Sequence, residues 1–246
     1  MQREWEPVLV RNALQLFGIV VYTLFWGTLG CVLALLDRSG ESVVWVGRNW
    51  VRWILALVRV RVVAEGLENV DREHPQILMS NHQSVFDIAA IIQTLPVSFR
   101  FVAKRELARI PFFGWALAGG GHILVDRGDR SQAIFSLRRG ARKIRDGTNV
   151  IVFPEGTRSE SGELRSFKSG GFHLATESGV PVVPVSVSGT RRITPKRSFH
   201  IEGGLVKVRY GKPIPTRVGE ACVPHEVLKE QVRAAILEGM DPELQA

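Results

Sequence analysis

A histidine and an aspartate stand five residues apart in Asn81-His82-Gln83-Ser84-Val85-Phe86-Asp87. The stretch follows an apolar run, Gln76-Ile77-Leu78-Met79, and leads into Ile88-Ala89-Ala90-Ile91-Ile92. The run reads as a strand and the sequel as a helix, so the pair sits at a strand-to-helix turn. An imidazole oriented by a carboxylate is a compact way to activate a hydroxyl. The spacing sets a condition. Five residues of regular helix advance about 500°, which leaves two side chains about 140° apart. The groups meet only if His82 stands at or before the first helical turn and folds back over Asp87. Taken alone, the pair fits an ordinary capping or surface contact equally well.

A second stretch, Phe153-Pro154-Glu155-Gly156-Thr157-Arg158-Ser159, follows another apolar strand, Val150-Ile151-Val152. Pro154 and Gly156 shape a turn, while Thr157, Arg158 and backbone N–H groups suit an anion. A guanidinium grips phosphate through paired donors. The plain alternative is a strand-to-helix loop with a Glu155–Arg158 surface pair. Lys104-Arg105-Glu106-Leu107 comes after a further strand, followed by Ile110-Pro111-Phe112-Phe113-Gly114-Trp115 and a glycine run at 119–121. Phe112, Phe113 and Trp115 read as core or membrane-facing side chains. The glycines admit a close backbone approach. Phe167-Lys168-Ser169-Gly170-Gly171 precedes a helix and offers more N–H donors. Val180-Pro181-Val182-Val183-Pro184-Val185 reads as structural, the wall or lead-in of a sheet edge.

Elements are needed to hold these pieces, and 246 residues suffice for one substantial core. Two cysteines, Cys31 and Cys222, are too few and too far apart for a disulfide framework, and no Cys/His metal spacing appears. No metal is expected. The net charge of +8, carried by 25 Arg and 7 Lys, admits nucleic acid, an anionic membrane or anionic ligands as partners. No nucleic-acid-binding signature accompanies the charge, so nucleic acid is set aside.

The N-terminus decides between the others. Residues 13–36 carry no charged side chain and would form a helix of about 36 Å, long enough to span a bilayer. A signal peptide would be shorter and followed by a small-residue cleavage site. Residues 43–63 are apolar and rich in tryptophan, with Arg48, Arg52, Arg59 and Arg61 interrupting them. This pattern predicts an interfacial helix whose arginines snorkel to headgroups. Spanning the bilayer and lying in one leaflet both remain open. From about Val60, strands are expected at 61–64, 76–80, 99–103, 122–125, 149–153 and 182–187, with a late hairpin of 199–201 against 206–210. Helices are expected over 131–145, 170–178 and 224–237. The alternation predicts an α/β domain over 61–246 with a mixed, largely parallel sheet flanked by helices. Residues 1–60 are expected to form an N-terminal hydrophobic two-helix membrane motif.

In chain order, residues 81–87, 104–127, 153–159 and 180–185 resemble the four motif blocks of the glycerolipid acyltransferases, most closely bacterial 1-acyl-sn-glycerol-3-phosphate acyltransferases. The resemblance covers residues 61–210 and implies the fold of that family. It implies transfer of an acyl chain from a thioester, acyl-CoA or acyl carrier protein, to the sn-2 hydroxyl of lysophosphatidic acid. The product would be phosphatidic acid, made in phospholipid biosynthesis. His82 would be the general base and Asp87 its orienting partner. Arg158, with Lys104, Thr157, Gly156 and Glu155, would meet the acceptor phosphate, although Glu155 also suits a structural role. Phe112, Trp115 and Lys168 would contact the acyl chain or the donor. Backbone N–H groups near Gly156 or in the 119–121 run would hold the oxyanion. No cofactor is implied beyond the co-substrate. Membrane lipid is the expected surroundings, and the cell inner membrane, with the catalytic domain facing the cytoplasm, the expected location. Another lysolipid or glycerol 3-phosphate as acceptor is the nearest alternative. A thioesterase or lipid hydrolase is the alternative from another class. An acyl-Ser84 route is disfavoured, because Ser84 lies two residues from His82 and should point away.

Overall fold

The computed structural model describes residues 5–126, 128–198 and 200–244. Two helices come first, α1 (Trp5–Leu36) and α2 (Glu41–Val58), then β1 (Val60–Glu65) and β2 (Ile77–Ser80). Helix α3 (Phe86–Thr94), β3 (Arg100–Lys104), α4 (Phe113–Gly119), β4 (Ile123–Val125), α5 (Arg130–Arg145) and β5 (Val150–Val152) follow. The chain continues through α6 (Gly170–Ser178), β6 (Val182–Ser188), α7 (Thr190–Ile193) and β7 (Gly204–Tyr210). A two-stranded ribbon, β8 (Arg217–Val218) and β9 (Ala221–Cys222), and helix α8 (His225–Gly239) complete it.

The seven-stranded sheet has the order β1-β7-β6-β2-β5-β3-β4. Every pairing is parallel except β6 with β7. This is the mixed, largely parallel sheet expected. Strands β2, β5 and β6 are buried along their whole length, as continuous apolar runs are when helices cover both faces. The pleat divides their side chains. Leu78, Ile151, Val183 and Val185 join α2 and α3 in one core. Ile77, Met79, Val150 and Val152 join α5, α6 and α8 in the other.

Four expectations are corrected. The segment expected as the wall or lead-in of a sheet edge is the interior strand β6, between β7 and β2. Its Pro184 is tolerated there because the ladder to β7 begins only at Val185, and the Pro184 carbonyl instead accepts the N–H of Gly211. The hairpin of 199–201 with 206–210 does not form. Strand β7 pairs with β1 and β6, Ile201 is buried outside any strand, and Phe199 lies outside the described residues. The second N-terminal helix ends at Val58 instead of running to 63. Arg48 does not reach for headgroups. Its guanidinium donates to the carbonyls of Ile92, Leu95 and Val97, capping the C-terminal end of α3.

The two N-terminal helices therefore differ. Helix α2 buries Val44, Val51, Ile54, Leu55 and Val58 in the core of the α/β unit. Helix α1 leans on α2 and α4 and leaves Phe17, Phe25, Leu35 and Leu36 exposed. Its residues Val10–Leu36 are long and apolar enough to cross a membrane.

Candidate active site

Strands β2, β5 and β3 are parallel, so the chain leaves all three at one edge of the sheet. That edge carries His82, the 153–159 loop and Lys104. Loops at the C-terminal ends of parallel strands are the usual place for a site in such a fold.

His82 stands four residues before α3, and Asp87 lies in the first turn. His82 Nδ1 is 2.8 Å from Asp87 Oδ2, so the geometric condition set by the spacing is met. Asp87 is fully buried and accepts three further hydrogen bonds: from the N–H of Gln83 (2.6 Å), the N–H of Ser84 (2.8 Å) and the hydroxyl of Thr190. A carboxylate that only accepts assigns the proton to Nδ1 of His82 and leaves Nε2 as the basic atom. Nε2 makes no hydrogen bond among the described residues. The ring stacks on Phe153, with centroids 4.2 Å apart. Asn81 fastens the turn to β6. It donates to the carbonyl of Val187 and accepts that residue's N–H, each at 2.8 Å.

The second loop is stitched to the first. Glu155 Oε1 accepts the N–H of His82 at 2.6 Å, and the N–H of Ser159 donates to the carbonyl of His82 at 2.7 Å. Glu155 Oε2 accepts the N–H of Arg165 at 3.0 Å. Both carboxylate oxygens are thus engaged within the fold, and burial pushes the carboxyl pKa upward. Of its two readings, the structural one fits. Glu155 braces the loops, and a buried acid so engaged is unsuited to ligate a phosphate of like charge. Gly156 has φ 72°, which only glycine adopts without strain, and its N–H closes the turn on the carbonyl of Phe153.

Arg158 is half-buried, and its guanidinium forms no ion pair among the described residues. Its carbonyl accepts from Lys196 Nζ at 3.0 Å, and Lys196 also pairs with Glu160 at 3.0 Å. Thr157 is exposed. Lys104 ends β3 two strand positions from β2, roughly 10 Å at ordinary strand spacing, and pairs with Glu106 at 3.0 Å. A groove of about 520 Å³ opens beside it, lined by Arg105, Ala108, Arg109, Leu124, Asp126 and Glu106. Lys168 is exposed, and its N–H donates to the carbonyl of Pro154, which seats the entry to α6 on the phosphate-suited loop. No side-chain contact joins Lys104, Arg158 and Lys168 among the described residues.

Other expected pieces lie elsewhere. The 119–121 run leads into the N-terminal end of β4, at the edge opposite His82, where the carbonyl of Gly121 accepts from Lys143. It is not placed to hold an oxyanion. Phe112 and Trp115 belong to the α4 region that packs on α1. The Cys31 thiol donates to the carbonyl of Phe112, and Trp115 is half-exposed beside it. Ser84 is buried, with its hydroxyl donating to the carbonyl of Thr194 at 2.8 Å, so it is turned from any acyl group as expected.

Two residues were not anticipated. Thr190 holds the second oxygen of Asp87, and Lys196 holds the Arg158 loop. Thr190 carried a faint signal, since it follows a parallel strand, β6, at the site edge. Lys196 carried none.

Residues 61–188 match the family model described as Acyltransferase. A 1-acyl-sn-glycerol-3-phosphate acyltransferase of Saccharomyces cerevisiae is 34% identical over 198 residues, covering 78% of this chain and 64% of that protein. The chain thus spans less than two thirds of that relative's length. A Pseudomonas aeruginosa protein of the same name is 33% identical over 223 residues, covering 87% of this chain and 84% of that one. The fold is similar to the crystal structure of the 1-acyl-sn-glycerophosphate (LPA) acyltransferase PlsC from Thermotoga maritima, with a TM-score of 0.78 and 29% identity over 95% of this chain and 94% of that one. With the His82–Asp87 pair and the braced 153–159 loop at one sheet edge, these similarities establish that the chain belongs to the acyltransferase family.

Proposed function

We propose that the protein transfers an acyl chain from acyl-CoA or acyl carrier protein to the sn-2 hydroxyl of 1-acyl-sn-glycerol 3-phosphate, giving phosphatidic acid. The observation that carries this reading is His82. Its Nδ1 is fixed by a buried carboxylate, and among the described residues its Nε2 makes no hydrogen bond and the Arg158 guanidinium at the same edge no ion pair. The names of the relatives support lysophosphatidic acid as acceptor.

In the proposed reaction, Nε2 of His82 takes the proton of the acceptor hydroxyl as the oxygen attacks the thioester carbonyl. Asp87 stabilises the imidazolium so formed. The new C–O bond forms, the C–S bond breaks, and His82 returns its proton to the leaving thiolate. Arg158 grips the acceptor phosphate, with Thr157 and the backbone around Gly156 beside it, and Lys104 and Lys168 supply positive charge on the flanks. Phe112 and Trp115, next to the apolar helix α1, contact the acyl chain. Residues 1–60 associate with the membrane, so the acceptor's tail stays in the bilayer while its headgroup reaches the site. We place the chain at the cell inner membrane, with residues 61–246 on the cytoplasmic side.

The test offers purified full-length protein acyl-CoA together with lysophosphatidic acid, glycerol 3-phosphate, lysophosphatidylcholine or no acceptor. Phosphatidic acid should form from the first, at a rate well above the others. Comparable acylation of lysophosphatidylcholine, or thiol release without any acceptor, would refute the proposal.

A further inference from the structure

A groove of about 660 Å³ lies where the first turns of α1 meet the end of α2. Val10, Leu14 and Leu57 form its apolar wall, and Arg11, Gln15 and Arg59 its polar side. Arg59 immediately precedes β1, which is three strand positions from β2, so the groove is separated from His82 by roughly 14 Å of sheet.

Three features define what the groove would accept. Arg11 and Arg59 are exposed, and neither pairs with a carboxylate among the described residues. Two guanidinium groups on one cleft suit a single phosphate. Gln15 is only 8% exposed, yet its side-chain oxygen has no hydrogen-bond partner among the described residues. A buried acceptor left unpaired is costly, and an O–H or N–H donor from a ligand would relieve it. The apolar wall continues into the exposed row of α1, where Phe17, Val21 and Leu24 follow Leu14. Acyl chains lying along α1 would enter the groove from that side. An ammonium headgroup could donate to Gln15 but would face both arginines. A hydroxyl donates without that repulsion.

We propose that this groove binds one anionic glycerophospholipid whose headgroup carries a hydroxyl, at a site separate from that of the reacting lipid. Phosphate lies between Arg11 and Arg59, the headgroup hydroxyl donates to Gln15, and one acyl chain runs along Leu14 and Leu57. The site does not depend on the reaction proposed above.

Full-length protein in neutral detergent micelles is titrated with phosphatidylglycerol or phosphatidylethanolamine, and bound lipid is counted by native mass spectrometry. Wild type should take up one phosphatidylglycerol with about tenfold preference, the scale of one charge-assisted contact. Arg11→Gln/Arg59→Gln should abolish the preference, and Gln15→Leu should weaken phosphatidylglycerol binding several-fold. Arg158→Ala should keep it, as should Arg72→Gln/Arg217→Gln, a control for general charge. Melting midpoints without lipid verify that each variant is folded, independently of activity. Unchanged preference in the Arg11/Arg59 variant would overturn the proposal. Equal loss in the Arg72/Arg217 control, or loss in Arg158→Ala, would do the same.

Discussion

His82 and His122 both lie against a phenylalanine beside a strand of the same sheet, yet they are prepared for opposite tasks. His82 stacks on Phe153 and His122 on Phe101. His82 faces a buried carboxylate and, among the described residues, leaves one nitrogen without a hydrogen bond. His122 uses Nδ1 to accept the N–H of Phe101 at 2.9 Å and feels the charges of Arg100 and Lys143. Burial, with the charges of Arg100 and Lys143, holds its pKa down to about 3. The proposed reaction asks His82 to take up a proton, and the surroundings of His122 make it refuse one. Burial does most to keep His122 neutral and the neighbouring cations add to it, whereas His82 differs in facing a carboxylate.

The largest effect should come from breaking that contrast at its active end. His82→Ala should lower the acyl-transfer rate by about 10²–10⁴-fold while leaving the melting midpoint near that of wild type. His122→Gln should do the reverse, keeping the rate within a few-fold, since an amide oxygen can still accept from Phe101. Rate measurements and thermal melts on the two variants separate these outcomes.

Next in size is Arg158→Ala, where loss of one charge-assisted phosphate contact is worth about 1.5–3 kcal/mol. Acceptor KM should rise about 10–100-fold with little change in kcat. A fall in kcat alone would remove Arg158 from the binding role. Thr190→Val should cost about tenfold in kcat, because Asp87 loses a donor and His82 its rigid support. Thr190→Ser should restore most of the rate. Failure of the serine to rescue would mean that the threonine methyl, through packing, is what matters.

The smallest effect concerns pH and stability. The folded pKa of His122 lies below the ordinary 6.5, so the unfolded chain takes up a proton that the folded chain refuses. Stability from this group is complete above about pH 6.5 and is lost as pH falls toward 3. Glu155 has the opposite sign. Its folded pKa is raised, so its contribution is lost as pH climbs above 4.5. Denaturant melts across this range should show a shallower acid-side loss in His122→Gln than in wild type.

What could be read from sequence was mostly local. The His82–Asp87 contact closes over five residues, and its need for a helix mouth followed from helical geometry alone. The strand-to-helix rhythm gave the parallel sheet, because each strand is short, apolar and followed by a turn. Long-range partners were invisible. Only its place after a parallel strand hints at Thr190, and nothing near Lys196 announces that it braces the Arg158 loop; their partners lie more than thirty residues away in each case. Arg48 illustrates the same limit. A tryptophan-rich helix with arginines at i and i+4 suits a membrane surface, and only the fold reveals the α3 carbonyls that Arg48 caps. The false hairpin arose because 199–201 is the nearest apolar neighbour of β7, whereas its real partners are β6 and the distant β1, which begins at Val60. The burial of α2 also changes how the membrane reading should be tested. Deleting both N-terminal helices would remove core residues, so only α1 is a sensible truncation.

The most direct test of the account measures thiol release from acyl-CoA by wild type and His82→Ala, each with and without lysophosphatidic acid. The account predicts release by wild type that depends on the acceptor, matches phosphatidic acid mole for mole, and falls by at least 10²-fold in His82→Ala. Release by wild type at the same rate without acceptor, or an undiminished rate in His82→Ala, would contradict it.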